Sequence, residues 1–475
     1  MKKNIIKVLL CSMIISLSSC EDMVEGINEN PNDISVLDVE SKLFLTGAMI
    51  ANVQVQCGHL NRISAMYSGQ LIGFSSLYSN IYGFNLSTVE SNDEWTQVYG
   101  GVITNMRHIA KNSTNDLLVG ISKVVEAHAI GTAASLWGNI PYSESNDIEI
   151  SDPKFDSQKA VYTAAIALLD EGISKLSSAS SFNLSQDIYF SGDKDKWIKA
   201  ANTLKARFYL HQKDYSSALS AASNGISASS GDMKYKPRGA ASQASGDKNL
   251  FWTILEGSRA GDIGNSSGGS DSYLLQLLDA SSSVSRNHAK TNEAARHAYY
   301  KIDASGGKVN KGIVEQFEPQ NMVTYFENQL IKAECAARSG GVAAGLSHLN
   351  AVRSWLNSGG QLNSSFAGMT YKYDAFVAAD FDNGGIENGD NVDSKTAFLR
   401  EVMEERYVSG FGMHMPFNDA RRLRKSGSSF AVPFVLVDGP NPPYPERMPY
   451  SANELNSNSN APADPGIFAK TEVNN

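Results

Sequence analysis

The stretch TYFENQLIKAECAARSGGVAAGLSHLNAVRSWL, Thr324–Leu356, decides the architecture. Its apolar residues recur at helical spacing on both sides of a glycine pair, which predicts one helix over Thr324–Arg338 and a second over Ala343–Leu356. Three other stretches read the same way. They are Gly120–Trp137 with Ser157–Ser177, Lys194–Gln212 with Tyr215–Ile226, and about Lys395–Val408 with Met413–Arg424. In Ser157–Ser177 the residues Val161, Ala165, Leu168, Leu169, Ile173 and Leu176 form a single apolar stripe. Four helix hairpins are a repeat signature, and the chain is therefore mainly α.

The hairpins resemble tetratricopeptide units, in which a small residue on one helix lets its partner approach; Ala200, Ala201, Ala333 and Ala336 suit that role. Irregular spacing between the pairs excludes a regular solenoid. The expected fold is a scaffold of four such hairpins carrying long, irregular, loop-rich insertions at Met233–Lys311 and Asn357–Asp393. Before the hairpins, Ser41–Gly73 reads as one long amphipathic helix, the next twenty residues as loop, and a further helix starts near Asp93. From Pro433 to Asn475 the chain is rich in proline, which rules out helix and argues for an extended segment wrapped over the surface.

The N-terminus has a different grammar. Lys2, Lys3 and Lys7 precede an apolar run, Val8–Leu17, of about half the length needed to span a bilayer, which marks residues 1–19 as a signal peptide. Leu17-Ser18-Ser19-Cys20 resembles a bacterial lipobox, whose cysteine thiol receives a diacylglycerol. Two or three acyl chains there make attachment to a membrane effectively permanent. Glu21 and Asp22 resemble the acidic signals that send some lipoproteins of the Bacteroidetes to the cell surface. Residues 20–40 read as a lipidated, flexible tether, and 41–475 as a single domain.

Loss of the leader takes three lysines and moves the net charge from -9 to -12, which disfavours nucleic acid as a partner. Cys57 and Cys335, both within helical patterns, read as buried thiols rather than a disulfide. No later run approaches a transmembrane span. The sequence holds no GxSxG, HExxH, P-loop or GxGxxG-helix motif, and its histidines are scattered. No catalytic residue and no metal set is assigned.

Four segments then carry a resemblance: WGNIPYSES (Trp137–Ser145), KWIKAANTLKARFYLHQKD (Lys196–Asp214), TYFENQLIKAECAARSG (Thr324–Gly340) and FLREVMEERYVSGFGMHMPFNDARR (Phe398–Arg422). In this order, with the lipobox ahead and MPYSANELNSNSNAP behind, the chain resembles the SusD/RagB family of outer-membrane nutrient-binding lipoproteins, in its SusD-like branch. The resemblance implies a lipid-anchored, surface-exposed protein that captures an oligosaccharide or other nutrient for a SusC-like, TonB-dependent transporter, with no chemistry of its own. The motifs themselves read as scaffold. Trp95, Tyr99, Trp137, Trp197 and Trp355 are expected to pack, and Glu404, Glu405, Arg406, Asp419, Arg421 and Arg422 to form a structural charge network.

Sugar rings present C–H faces between hydroxyls, so a glycan site combines aromatic platforms with amide, carboxylate and guanidinium partners. The first loop offers Phe74, Tyr78, Asn80 and Tyr82; the central insertion offers Trp252, Arg259, Asp262, Asn265 and Tyr273, with Tyr299 and Tyr300 at its end. Packing is the competing role for each ring. The acidic stretch DFDNGGIENGDNVD (Asp380–Asp393) has the oxygens for a structural calcium ion but not the EF-hand spacing, and reads as a solvated loop with no cofactor. The alternative to a binding protein is a surface glycoside hydrolase on a helical scaffold, which needs only two carboxylates.

Overall fold

The structure, a computed structural model, describes residues 40–242, 246–305, 310–424 and 432–475; the leader, Cys20 and nearly all of the tether lie outside the described residues. Its first helices are α1 (Leu43–Cys57), α2 (His59–Tyr67), α3 (Ser76–Tyr82), α4 (Asn92–Thr96) and α5 (Thr104–Asn112). The hairpin helices follow as α6 (Asp116–Trp137), α7 (Gln158–Ser178), α8 (Lys194–His211) and α9 (Tyr215–Ser223). The central insertion holds α10 (Tyr273–Leu278) and α11 (Ala294–Tyr300); α12 (Tyr325–Asn357), α13 (Ser394–Ser409), α14 (Met415–Arg424) and α15 (Ala452–Ser457) complete the order. Among the described residues the strands pair only as two-stranded antiparallel ladders.

The sequence sets where these helices start. Asn115, Ser157, Asp193, Asp214, Thr324 and Asp393 each occupy the N-cap of a hairpin helix, and each side chain accepts from backbone N–H groups of the first turn. Such caps contribute about 1 kcal/mol apiece. Small residues then set how closely the helices pack. A Cβ on Gly120 of α6 would lie 2.6 Å from Leu176 and 3.1 Å from the Gly172 carbonyl of α7, and one on Gly131 would lie 2.1 Å from the Phe208 ring of α8. The third hairpin is one helical run broken at Gly341, whose φ of 70° and ψ of -167° turn the chain back. Gly345 then comes so close that a Cβ would sit 2.6 Å from the Ala333 carbonyl. Ala200, Ala201, Ala333 and Ala336 are all buried, as their proposed role requires.

Several expectations are corrected. Ser41–Gly73 is two helices, because Gly58 leaves helical geometry (ψ -147°) and the Glu94 carboxylate reaches in to accept from Leu60 N at 3.0 Å. The first loop contains α3. The helix expected near Asp93 is divided by a π-helical turn over Gln97–Ile103, where Gly101 admits the Ala51 side chain of α1. Helix α6 is long and apolar enough to cross a membrane, yet 94% of its most apolar window is buried inside the fold. The proline-rich C-terminus includes the short α15 and does more than lie over the surface. Phe434, Met448 and Tyr450 enter the core, and Met448 N donates to Leu136 O at 2.8 Å.

Cys57 and Cys335 are free and buried, and burial pushes both thiols up to about 12. Trp137 and Trp197 are fully buried; Trp197 Nε1 donates to Asp187 at 2.8 Å and Trp137 Nε1 to Ser91 Oγ at 3.2 Å. The charge network forms two clusters with partners the sequence did not name. In the first, Arg286 and Arg296 of the central insertion donate to Glu293, Glu401, Glu404 and Glu405 at 2.6–3.3 Å, and Tyr373 of the second insertion donates to Glu293 at 2.7 Å. In the second, Arg406 and Arg422 share Asp419, and Arg422 also holds Glu334 of α12. Arg421 donates instead to the backbone carbonyls of Ser135 and Glu446. Both insertions are thereby fastened to the last hairpin.

Candidate functional site

Two short strands bring the first loop to the central insertion. Ile72–Gly73 pairs with Ile263–Gly264, so Phe74 N donates to Asp262 O at 2.8 Å and the Ser75 hydroxyl donates to the Asp262 carboxylate. Arg259 stands 3.6 Å from the same carboxylate with 44% of its side chain exposed. Beside them Tyr78 is buried, its hydroxyl receiving Arg62 Nε at 3.1 Å and its ring edge-on to His59. His59 in turn meets Glu90 at 2.7 Å, and that hydrogen bond holds the Glu90 carboxyl below its ordinary range. Phe74, Tyr78, Arg259 and Asp262 are thus neighbours, while Asn80 is exposed on α3 and Trp252 is half-buried at the start of a π-helical turn, Trp252–Ser258.

The remaining candidates are interior and present no free ring face. Tyr82 is buried and donates to Val437 O at 2.8 Å. Tyr273 packs on Tyr407, and Tyr299 and Tyr300 sit among Phe366 and Phe411, with the Tyr299 hydroxyl donating to Glu318 at 2.8 Å. Buried Asn265 bridges Tyr300 O and Ile302 N. Burial gives these residues packing roles, and the hydroxyls of Tyr82 and Tyr299 are satisfied within the fold. The acidic loop is likewise spent. Asp380 takes Lys290, Glu387 takes His288, Asp390 takes Arg400, Asp382 takes Ser394, and Asp393 caps α13. Among the described residues no group of three or more His, Cys, Asp and Glu side chains converges on a metal position.

The structure adds a site that the sequence reading passed over. The C-terminal segment runs beside the first loop: Val437 O accepts from Tyr82, and Asp438 accepts from Ser270 of the central insertion at 2.7 Å. Phe84 follows Tyr82, and its ring lies edge-on to Phe468 at 5.7 Å and to Tyr444 at 6.3 Å, with Tyr67 behind it at 5.8 Å. Tyr444, Phe468, Pro442, Pro443, Glu446 and Lys470 line an open groove of about 320 Å³, within the range of small-ligand sites. Phe468 is 46% exposed, the most open aromatic ring among the described residues. Held by prolines and backed by Phe84, these rings offer apolar faces with little motion to lose. Exposed Lys470 supplies a donor for hydroxyls at the rim, while Glu446, which also lines the groove, is buried. That is the composition a sugar site requires.

Comparison with known proteins now places the chain. A SusD-like family described as starch-binding and associating with the outer membrane matches residues 31–411. The chain belongs to that SusD-like family. Its fold recurs in a SusD homologue from Bacteroides uniformis, at a TM-score of 0.65 and 17% identity, covering 93% of this chain and 100% of that one. A SusD/RagB family protein from Bacteroides thetaiotaomicron gives 0.64 at 18% identity, with 89% and 95% covered. A chitin-binding SusD homologue from Flavobacterium johnsoniae gives 0.61 at 16% identity, with 91% and 98% covered. No curated protein sequence matches the chain. As a SusD-like protein the chain is a member of a family of binding proteins rather than enzymes, associated with carbohydrate and with the outer membrane.

Phe84, Tyr444 and Phe468 were the functional candidates missed. A signal was present in PNPPYPERMPY (Pro440–Tyr450), where an aromatic residue between prolines marks a ring held on stiff backbone.

Proposed function

We propose that this SusD-like protein is a cell-surface lipoprotein that binds a glycan and passes it to a SusC-like, TonB-dependent transporter. Acylation at Cys20 anchors it, residues 20–40 act as the tether, and 41–475 form the single binding domain. The observation that carries the glycan reading is the groove in which Phe468 stands exposed and Tyr444 half-buried over Phe84. Phe74, Asn80, Trp252, Arg259 and Asp262 are flanking contacts for a longer chain, and Tyr78 supports them from below.

Family membership supports the substrate class, and the chitin-binding relative supports a β-linked as well as an α-linked glycan among those to be tried. The test is calorimetric titration of the purified protein, alone and with its co-purifying transporter, against maltooligosaccharides, chitooligosaccharides and a wider glycan panel. Binding of at least one class is expected. No heat with any glycan in either form would refute the reading.

A further inference from the structure

A second cavity lies inside the scaffold, between α6, α8, the start of α12 and the last hairpin. It encloses about 20 Å³, and its wall includes Gln56, Arg207, His211, Arg406, His414 and Asn418. A smaller adjoining pocket shares Ser135, His211 and Asn418 with it. That volume accommodates an occupant the size of a water molecule or a single monatomic ion.

The wall is rich in donors and its charged acceptors are committed. Both oxygens of Glu327 accept from Arg207, at 2.5 and 2.7 Å. Asp419 accepts from Arg406 Nε and Nη2 and from Arg422. Thr132 donates to Gln56 Oε1, and Ser135 donates to Thr132 O. The His414 ring is also spent, between Val55 O at 3.1 Å and Ser64 Oγ at 3.0 Å.

Three donors are left over. Arg406 Nη1 is buried without an acceptor among the described residues. The Asn418 amide oxygen accepts from Arg421, which leaves its NH₂ group to face elsewhere. The buried Tyr162 hydroxyl meets His211 Nδ1 at 3.1 Å, and with that hydroxyl donating, the ring proton sits on Nε2. Burial and the surrounding arginines hold His211 well below its ordinary range, so the imidazole is neutral and the local positive charge comes from guanidinium groups. An orphaned guanidinium donor in the interior costs free energy that a bound acceptor recovers, and a negatively charged acceptor recovers most.

We propose that this cavity binds a small monovalent anion of halide size, held by Arg406, Asn418 and His211, which ties α8 to the last hairpin. A ligand bound only by the folded state raises its apparent stability with concentration. The test uses the full purified chain. Crystals grown in sodium bromide are expected to show an anomalous scattering peak in the cavity, within hydrogen-bond distance of Arg406 Nη1. The unfolding temperature is expected to rise with sodium chloride or bromide relative to sodium gluconate at equal ionic strength. Asn418→Asp, which sets a carboxylate in the donor set, is expected to abolish that halide dependence. Should the substitution prevent folding, the two measurements on the unaltered protein stand alone. A water molecule with no anomalous signal, or equal unfolding temperatures in halide and gluconate, overturns the proposal.

Discussion

Replacing Glu334 by Gln tests how the last hairpin is held. Glu334 is fully buried on α12, accepts from Arg422 Nη1 and Nη2 at 2.5 and 2.9 Å, and accepts from Arg338 Nε at 2.9 Å. Burial alone would raise its pKa, but the guanidinium charges of Arg422 and Arg338 outweigh it and bring the carboxyl from 4.5 down to about 2. A shift of that size, at about 1.4 kcal/mol per unit, corresponds to about 3 kcal/mol of stability at neutral pH. Removing one member of a buried ion pair costs a similar amount, about 3–5 kcal/mol. Because the folded-state value lies below the unfolded one, this contribution is complete above pH 4.5 and is lost as pH falls toward 2. Urea unfolding should therefore find Glu334→Gln less stable by about 3 kcal/mol at pH 7, with the gap about halved at pH 3. A gap below about 1 kcal/mol at pH 7, or one that does not shrink in acid, would refute the reasoning.

Other expectations follow from separate parts of the molecule. Gly131→Ala pushes a methyl into the Phe208 ring and should cost about 1–3 kcal/mol in the same unfolding assay, by overpacking the α6–α8 contact. His414 is held down to about 4 chiefly by burial, so wild-type stability should fall as pH drops from 6.5 toward 4, and His414→Gln should flatten that slope in pH-dependent urea melts. Phe468→Ala removes an exposed ring and should weaken glycan binding by about 1–2 kcal/mol, roughly 5- to 30-fold by calorimetry, with the circular dichroism spectrum unchanged. Cys20→Ser should abolish metabolic labelling with palmitate and release the protein from the membrane fraction.

The hairpins were legible because three local signals coincide in them. Apolar periodicity names the buried face, polar caps such as Asp193 and Asp393 fix the starts, and small residues such as Ala333 mark the close approaches. Where those signals part, the sequence pattern and the fold diverge. Apolar spacing runs unbroken through Gly58, and only the incoming Glu94 carboxylate, which accepts from Leu60 N across 34 residues of sequence, reveals that the helix ends there. The tyrosines of the insertions posed the opposite difficulty. A tyrosine in a polar neighbourhood reads identically whether its hydroxyl meets solvent or, as at Tyr299, a distant Glu318. Arg286 and Arg296 were invisible as partners of Glu405 because the three are joined only in the folded chain. The groove was hidden for the same reason. Phe84 and Phe468 are neighbours across almost the whole length of the domain, and periodicity carries no trace of such a contact.

The most direct test is a crystal structure of the protein with whichever oligosaccharide the titrations identify. A sugar ring is expected against Phe468 or Tyr444, with a hydroxyl in reach of Lys470. Saccharide density confined to another face, with the groove between the C-terminal prolines and Phe84 occupied by solvent alone, would contradict it.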